Sequence, residues 1–385
     1  MYSLIFLAAL TIGTLPLWVS AQAIPMEIGG APVVIITRPQ PKQIDKPQFV
    51  EATVLPGEGM NLFQVKAAWP GKGIIELMHS PDLEEAKKQF ESADNAFGNR
   101  SFLLGGAFLV PYANRIRGVV ATDRKSITAE IADQKFELPA NLSGKSKDAE
   151  VHSIHGLIYA ERFSEVRQNN GPHESTASAN LQAGNFDGRW PSKTDVHIKV
   201  ELRDNALDLE VTAKNTGDKT LPMAIGMHPY FAIPSGDRSQ ARLQIPASTR
   251  ILVNNYDDVF PTGQVEAVKG TPYDFTAAKG TALDKLYLDD CFTDLHRDHN
   301  GNAVVELIDP AAHYGLRITA LSKRIQNIQV YAPPDQKFVA IEPQFNLADP
   351  FNKAIWGQRD TGIEYLAPGQ VAEWHVRLEL FIPSE

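Results

Sequence analysis

Thr194-Asp195-Val196-His197-Ile198-Lys199-Val200-Glu201-Leu202-Arg203-Asp204-Asn205-Ala206-Leu207-Asp208-Leu209-Glu210-Val211-Thr212-Ala213 decides the fold class. Val196, Ile198, Val200 and Leu202 alternate with polar residues, and Leu207, Leu209, Val211 and Ala213 do so again after Asp204-Asn205. Successive side chains of a strand point to opposite faces, so this pattern buries one face of an antiparallel hairpin turned at Asp204-Asn205. Asn215-Thr216-Gly217-Asp218 supplies the next turn. The same alternation returns at Trp374, Val376, Leu378, Leu380 and Ile382, and shorter strands are expected over 303–308, 316–321, 328–331 and 338–341.

Helix is scarce. The clearest case covers 80–90, with Ser80 as N-cap, Pro81 at the first position and acids in the first turn; its polar surface predicts a peripheral insertion. Many short strands without βαβ alternation predict an all-β chain, a large antiparallel β-sandwich with few short helices. Residues 1–23 carry no charge, an apolar run from Leu4 to Leu10 and a small-x-small ending at Ala21-Gln22-Ala23. They read as a cleaved signal peptide, with an uncleaved membrane anchor as the alternative, and predict an exported, periplasmic or secreted protein without a stable membrane span after cleavage. Residues 24–48 are rich in proline and read as a linker or an edge-hugging arm, leaving 49–385 as the β-sandwich body.

Composition excludes some partners. The chain has 385 residues, 43% hydrophobic and 22% charged, with a net charge of -9 and no Lys/Arg cluster. A nucleic acid or an anionic membrane is therefore not an expected partner. The single Cys291 cannot form an internal disulfide. Nothing in the pattern fixes the oligomeric state.

Three distant stretches place one polar group among glycines, prolines and aromatics: residues 105–116, Gly226-Met227-His228-Pro229-Tyr230-Phe231, and Val339-Ala340-Ile341-Glu342-Pro343-Gln344. Such surroundings fix a rotamer and limit hydration, which tunes an acid or base. Glu342 follows an apolar strand and precedes proline, so its carboxylate is expected to project from a strand end into a partly dry pocket. An ordinary strand-end ion pair is the plain alternative. His228 carries an imidazole that titrates near neutrality, or is a core histidine bonded to a carbonyl.

These stretches, with His155-Gly156 and Leu288-Asp289-Asp290, resemble the aldose 1-epimerase (galactose mutarotase-like) family, in order and rough spacing from about Phe49 to the C-terminus. The resemblance implies the family's twisted antiparallel super-sandwich and an isomerase exchanging the α and β anomers of free hexoses, with a small sugar as partner and no cofactor. It implies Glu342 as base and His228 as acid on opposite sides of the sugar. Asn114 and Arg115 match the pair that bonds sugar hydroxyls, His155 a second histidine at the substrate, and Asp289 an acceptor of hydroxyl hydrogen bonds. Gln344 is expected to help by the same logic.

Some alternatives stay open at this level. Arg117 shares a strand face with Arg115 and reads better as a solvated surface arginine. A one-residue slip would exchange Asp289 for Asp290. The family often has a second glycine where this chain has Leu157, which leaves the role of His155 open between binder and auxiliary acid. The His152-x-x-His155 spacing suits a metal pair, yet no third ligand stands nearby and a strand would point the two apart, so no metal is expected. Tyr112, Tyr230 and Phe231 are candidates for an apolar floor under the sugar, or core. A non-catalytic carbohydrate-binding protein on the same fold and a hexose-6-phosphate mutarotase are the competing functions.

Overall fold

The computed structural model of the chain describes residues 26–95, 98–147 and 149–384; the expected signal segment, 1–23, lies outside them. Every strand pairing among the described residues is antiparallel, and two large sheets dominate, one of nine strands and one of seven. The decisive hairpin forms as Thr194–Leu202 against Leu207–Asn215, with Val196 opposite Ala213 and Val200 opposite Leu209. Its turn closes through the Arg203 amide donating to the Ala206 carbonyl. Val371–Phe381 pairs with the second hairpin strand and lies centrally in the nine-stranded sheet. Its alternation ends earlier than the sequence suggests: Trp374, Val376 and Leu378 are buried, whereas Ile382 lies beyond the strand and is exposed.

One continuous apolar core joins the two sheets. Phe108 of the seven-stranded sheet meets Trp374 of the nine-stranded sheet edge to face, and the Trp374 indole N–H donates to the Pro343 carbonyl across the interface. The architecture is thus the large antiparallel β-sandwich expected from the pattern.

The Pro-rich segment contributes Val34–Thr37, which pairs with Gln48–Leu55 at the edge of a four-stranded sheet and buries Val34 and Ile36. Strand pairing therefore begins ahead of position 49, within the segment read as a linker or an edge-hugging arm. A second difference is local. The helix runs over Leu83–Phe90, capped by Asp82, whose carboxylate accepts the Glu85 amide, while Ser80 Oγ donates instead to the Phe63 carbonyl. Ala86 and Phe90 anchor it against Ile28, Leu55 and Phe63.

Candidate active site

A cavity of about 1010 Å³ opens over the seven-stranded sheet, and Asn114, Arg115, His155, His228, Asp289 and Glu342 all line it. His228 lies on Gly226–Ala232, opposite Ala107 on one neighbouring strand. That small partner leaves the imidazole room to face the cavity. Glu342 lies inside Phe338–Gln344, the strand on the other side, rather than at a strand terminus. A Cβ on Gly226 would come within 2.9 Å of the Cβ atoms of Ala113 and Gln344, so only glycine lets these strands approach.

His228 Nε2 stands 3.3 Å from Glu342 Oε1, with both side chains almost fully buried. Burial lowers the His228 pKa to about 3 and lifts Glu342 well above the usual carboxylate range, with the charge of Asp289 adding to the lift. A dry imidazole and a dry carboxyl so close hold one proton between them, and burial favours it on Glu342. His228 Nδ1 and Glu342 Oε2 have no hydrogen-bond partner in the protein and remain available.

His155 completes this cluster, its ring 4.8 Å from that of His228 at 80°. His155 and Asn114 both adopt left-handed backbone, with φ of 65° and 59°. They lock each other: the His155 amide donates to the Asn114 carbonyl, and the Asn114 amide donates to His155 Nδ1. Because Nδ1 accepts, the neutral ring carries its proton on Nε2. Burial, then the neighbouring His228 and Arg115, holds His155 well below its ordinary value. Gly156 follows with φ of 82°, where a Cβ would lie 2.4 Å from the Val110 carbonyl oxygen. The missing second glycine is no obstacle, since the Leu157 amide donates to that same carbonyl.

Beside the histidines a closed ring of four polar side chains forms. Arg115 donates to Asn114 Oδ1 and to Asp289 Oδ2, Asn114 Nδ2 donates to Gln329 Oε1, and Gln329 Nε2 donates to Asp289 Oδ1. Sequence reasoning missed Gln329. The available signal was a lone amide within the apolar run Ile328-Gln329-Val330, on a strand it had recognised. It also missed Phe102, whose ring packs 5.0 Å from His155 and 6.3 Å from His228.

The open alternatives separate cleanly. Asp289 lines the cavity, whereas Asp290 is fully buried and engaged by Arg250 and the Tyr256 hydroxyl. Arg117 lies outside the cavity but is not simply solvated: it pairs with Glu150 and stacks 3.9 Å above Phe260. His152 faces Phe260 and bonds the Glu150 carbonyl, so it does not converge with His155. A different trio does converge, because ligand atoms of His155, His228 and Glu342 lie within 4.8 Å of one another. Gln344 does not line the cavity; its Nε2 is engaged by the Asn346 carbonyl. Of the three aromatics expected as a floor only Tyr230 borders the cavity, since Tyr112 stacks on Trp190 and Phe231 lies in the core.

The model of the family described as aldose 1-epimerase matches residues 77–379. No curated protein sequence matches the chain. Among solved structures, a galactose mutarotase-like protein from Clostridium acetobutylicum is similar at 18% identity and a TM-score of 0.68, covering 87% of this chain and 95% of that one. An aldose epimerase homologue from C. elegans is similar at 19% identity and a TM-score of 0.65, covering 91% and 99%. A galactose 1-epimerase from Lactobacillus acidophilus is similar at 17% identity and a TM-score of 0.60, covering 90% and 98%. At these identities the structural likeness speaks to the fold.

Proposed function

Since the chain belongs to the aldose 1-epimerase family, we propose that it interconverts the α and β anomers of free hexoses by acid–base ring opening, with Glu342 as base and His228 as acid. Glu342 takes the proton of the C1 hydroxyl while His228 protonates the ring oxygen. The bond from C1 to the ring oxygen breaks, C1 becomes an aldehyde, and rotation about the bond to C2 presents its other face. Reclosure returns both protons, so nothing is consumed and no cofactor is required. Each of the two groups supplies on the order of 10²–10⁴ in rate.

The observation that carries this reading is the 3.3 Å contact between His228 Nε2 and Glu342 Oε1 inside the cavity. The two groups were expected to face each other from opposite sides of a pyranose. Opposition is unnecessary, because the hydroxyl oxygen and the ring oxygen are both bonded to C1, and adjacent groups can serve both. A proton shift along this one contact converts the resting neutral pair into carboxylate and imidazolium. His155 Nε2–H is a donor for a sugar oxygen, and the ring of Asn114, Arg115, Asp289 and Gln329 offers fixed donors and acceptors to hydroxyls.

A phosphorylated substrate has less support. Arg115 and Lys145 supply the Arg and Lys groups lining the cavity, and Arg115 is paired with Asp289. Export to the periplasm or outside the cell remains our reading of residues 1–23. No helix of the described residues is long and apolar enough to cross a membrane.

Polarimetry of freshly dissolved α-glucose and α-galactose tests the function. Faster mutarotation than buffer supports it. A buffer rate across a broad sugar panel contradicts it, and calorimetric sugar binding without mutarotation would identify a carbohydrate-binding protein instead.

A further inference from the structure

The cavity is larger than one hexose requires. Its volume of about 1010 Å³ lies at the top of the ~300–1,000 Å³ range of pockets that bury drug-sized ligands, and a hexose has only about a dozen non-hydrogen atoms. The excess is walled by aromatic rings. From His228 a continuous run leads outward through Tyr230, Phe338, Tyr331, Tyr287 and Tyr256, with successive ring centroids 4.8, 4.8, 6.1, 6.4 and 5.0 Å apart. All five rings border the cavity. Exposure rises along the run, from 5% for Tyr230 and 7% for Phe338, through half-buried Tyr331 and Tyr287, to 39% for Tyr256.

Register explains the direction. Phe338 shares a strand face with Glu342, and Tyr331 shares one with Gln329, because side chains two residues apart point the same way. Tyr331 therefore stands roughly 7 Å along its strand from the polar ring, at ~3.3 Å per residue. Core packing accounts for the innermost two rings; it does not account for a continued run of tyrosines whose surfaces open toward solvent. A pyranose carries an apolar C–H face, which an aromatic ring covers well, and a tyrosine adds a hydroxyl for the sugar's polar edge. Beyond the polar ring the cavity is bordered by Asp257, Asp335 and, as the single Lys or Arg among the described residues there, Lys145, which favours an uncharged chain over an anionic one.

We infer that the site takes the reducing end of a neutral oligosaccharide of two or three sugars, the terminal unit at His228 and Glu342 and the next units stacked along Tyr331 and Tyr287. This rests on the mutarotase reading of the same site and names its substrate class. Anomer exchange is then the same balanced proton transfer, with the distal sugars adding binding alone.

The test compares anomer exchange, followed by NMR, for glucose, maltose, cellobiose and maltotriose. For at least one oligosaccharide kcat/KM is expected to exceed that for glucose by about tenfold, with Tyr287→Ala removing most of this advantage through KM, leaving glucose within about twofold, and Tyr287→Phe retaining it. Equal kcat/KM for glucose and every oligosaccharide overturns the inference, as does a parallel loss for both classes in Tyr287→Ala. Methyl glycosides cannot open, so calorimetry with methyl cellobioside or methyl maltoside against methyl glucoside reads the outer site in the intact protein without any variant. Tighter binding of a disaccharide glycoside supports the outer site even if no sugar is turned over, in which case the mutarotase reading alone fails. Equal or weaker binding of both disaccharide glycosides overturns the inference.

Discussion

His228 Nε2 lies 3.3 Å from Glu342 Oε1, on neighbouring strands of the seven-stranded sheet. The pair shares one proton, and this sets the pH profile. Arg115, Asp289, His155, Tyr230 and Cys291 are ionisable groups around it. Activity falls on the acid side when the pair takes up a second proton and Glu342 can no longer accept one, and burial has lowered the His228 pKa to about 3 from 6.5. It falls on the alkaline side when the pair loses its proton, which the raised pKa of Glu342 defers. The expected kcat/KM of the free enzyme is level down to about pH 5. An acid limb centred at 6.5, the ordinary imidazole value, would speak against a shared proton.

Arg115 and Asp289 form an ion pair with side chains only 9% and 11% exposed. Removing one partner of a buried pair leaves the other without compensation. Arg115→Met is expected to destabilise the fold by about 3 kcal/mol in urea unfolding and to raise KM for hexoses. Asp289→Asn keeps one of the two acceptor oxygens that Arg115 and Gln329 use and is expected to cost less. Equal stability of Arg115→Met and the parent would show the pair to be dispensable.

Gly156 holds the left-handed turn that aims His155. With φ of 82° and the Val110 oxygen 2.4 Å from a would-be Cβ, Gly156→Ala forces the backbone to move. The expected cost is about 2 kcal/mol of stability, together with a lower kcat from displaced His155. Gly71→Ala is the control, since φ is 71° there and no atom lies near its would-be Cβ. Its effect is expected to be smaller and confined to stability.

The acid–base roles proposed for His228 and Glu342, with His155 as a donor to the sugar, need no metal, although the ligand atoms of the three are close enough for one ion to bridge. Treatment with EDTA is expected to leave the mutarotation rate unchanged. Added Zn²⁺, suited to two imidazoles and a carboxylate, is expected to inhibit by occupying them. Loss of activity in EDTA, restored by a divalent ion, would contradict the metal-free mechanism.

Legibility in the sequence followed the physics. The hairpin over 194–215 was readable because each strand buries one face and the pattern has period two. The helix start was displaced from Ser80 to Asp82 because a tertiary acceptor, the Phe63 carbonyl, recruits the Ser80 hydroxyl. Adjacent Asp289 and Asp290 were indistinguishable locally, since Arg250 on a neighbouring strand and the Tyr256 hydroxyl, both remote in sequence, hold the Asp290 carboxylate inward. Gln344 was expected to bond sugar hydroxyls, but the Asn346 carbonyl two residues on captures its amide. Gln329 and the tyrosines at 287 and 331 escaped notice because their neighbours in space come from distant strands and loops.

Anomer exchange by the Glu342→Gln variant tests the central claim most directly. Saturation-transfer NMR on glucose at equilibrium, with calorimetry to verify that the sugar still binds, is expected to give kcat lower by about 10²–10⁴ with binding within a fewfold of the parent. A variant that exchanges anomers at the parent's rate would contradict the assignment of Glu342 as the proton acceptor, and with it the account of the site.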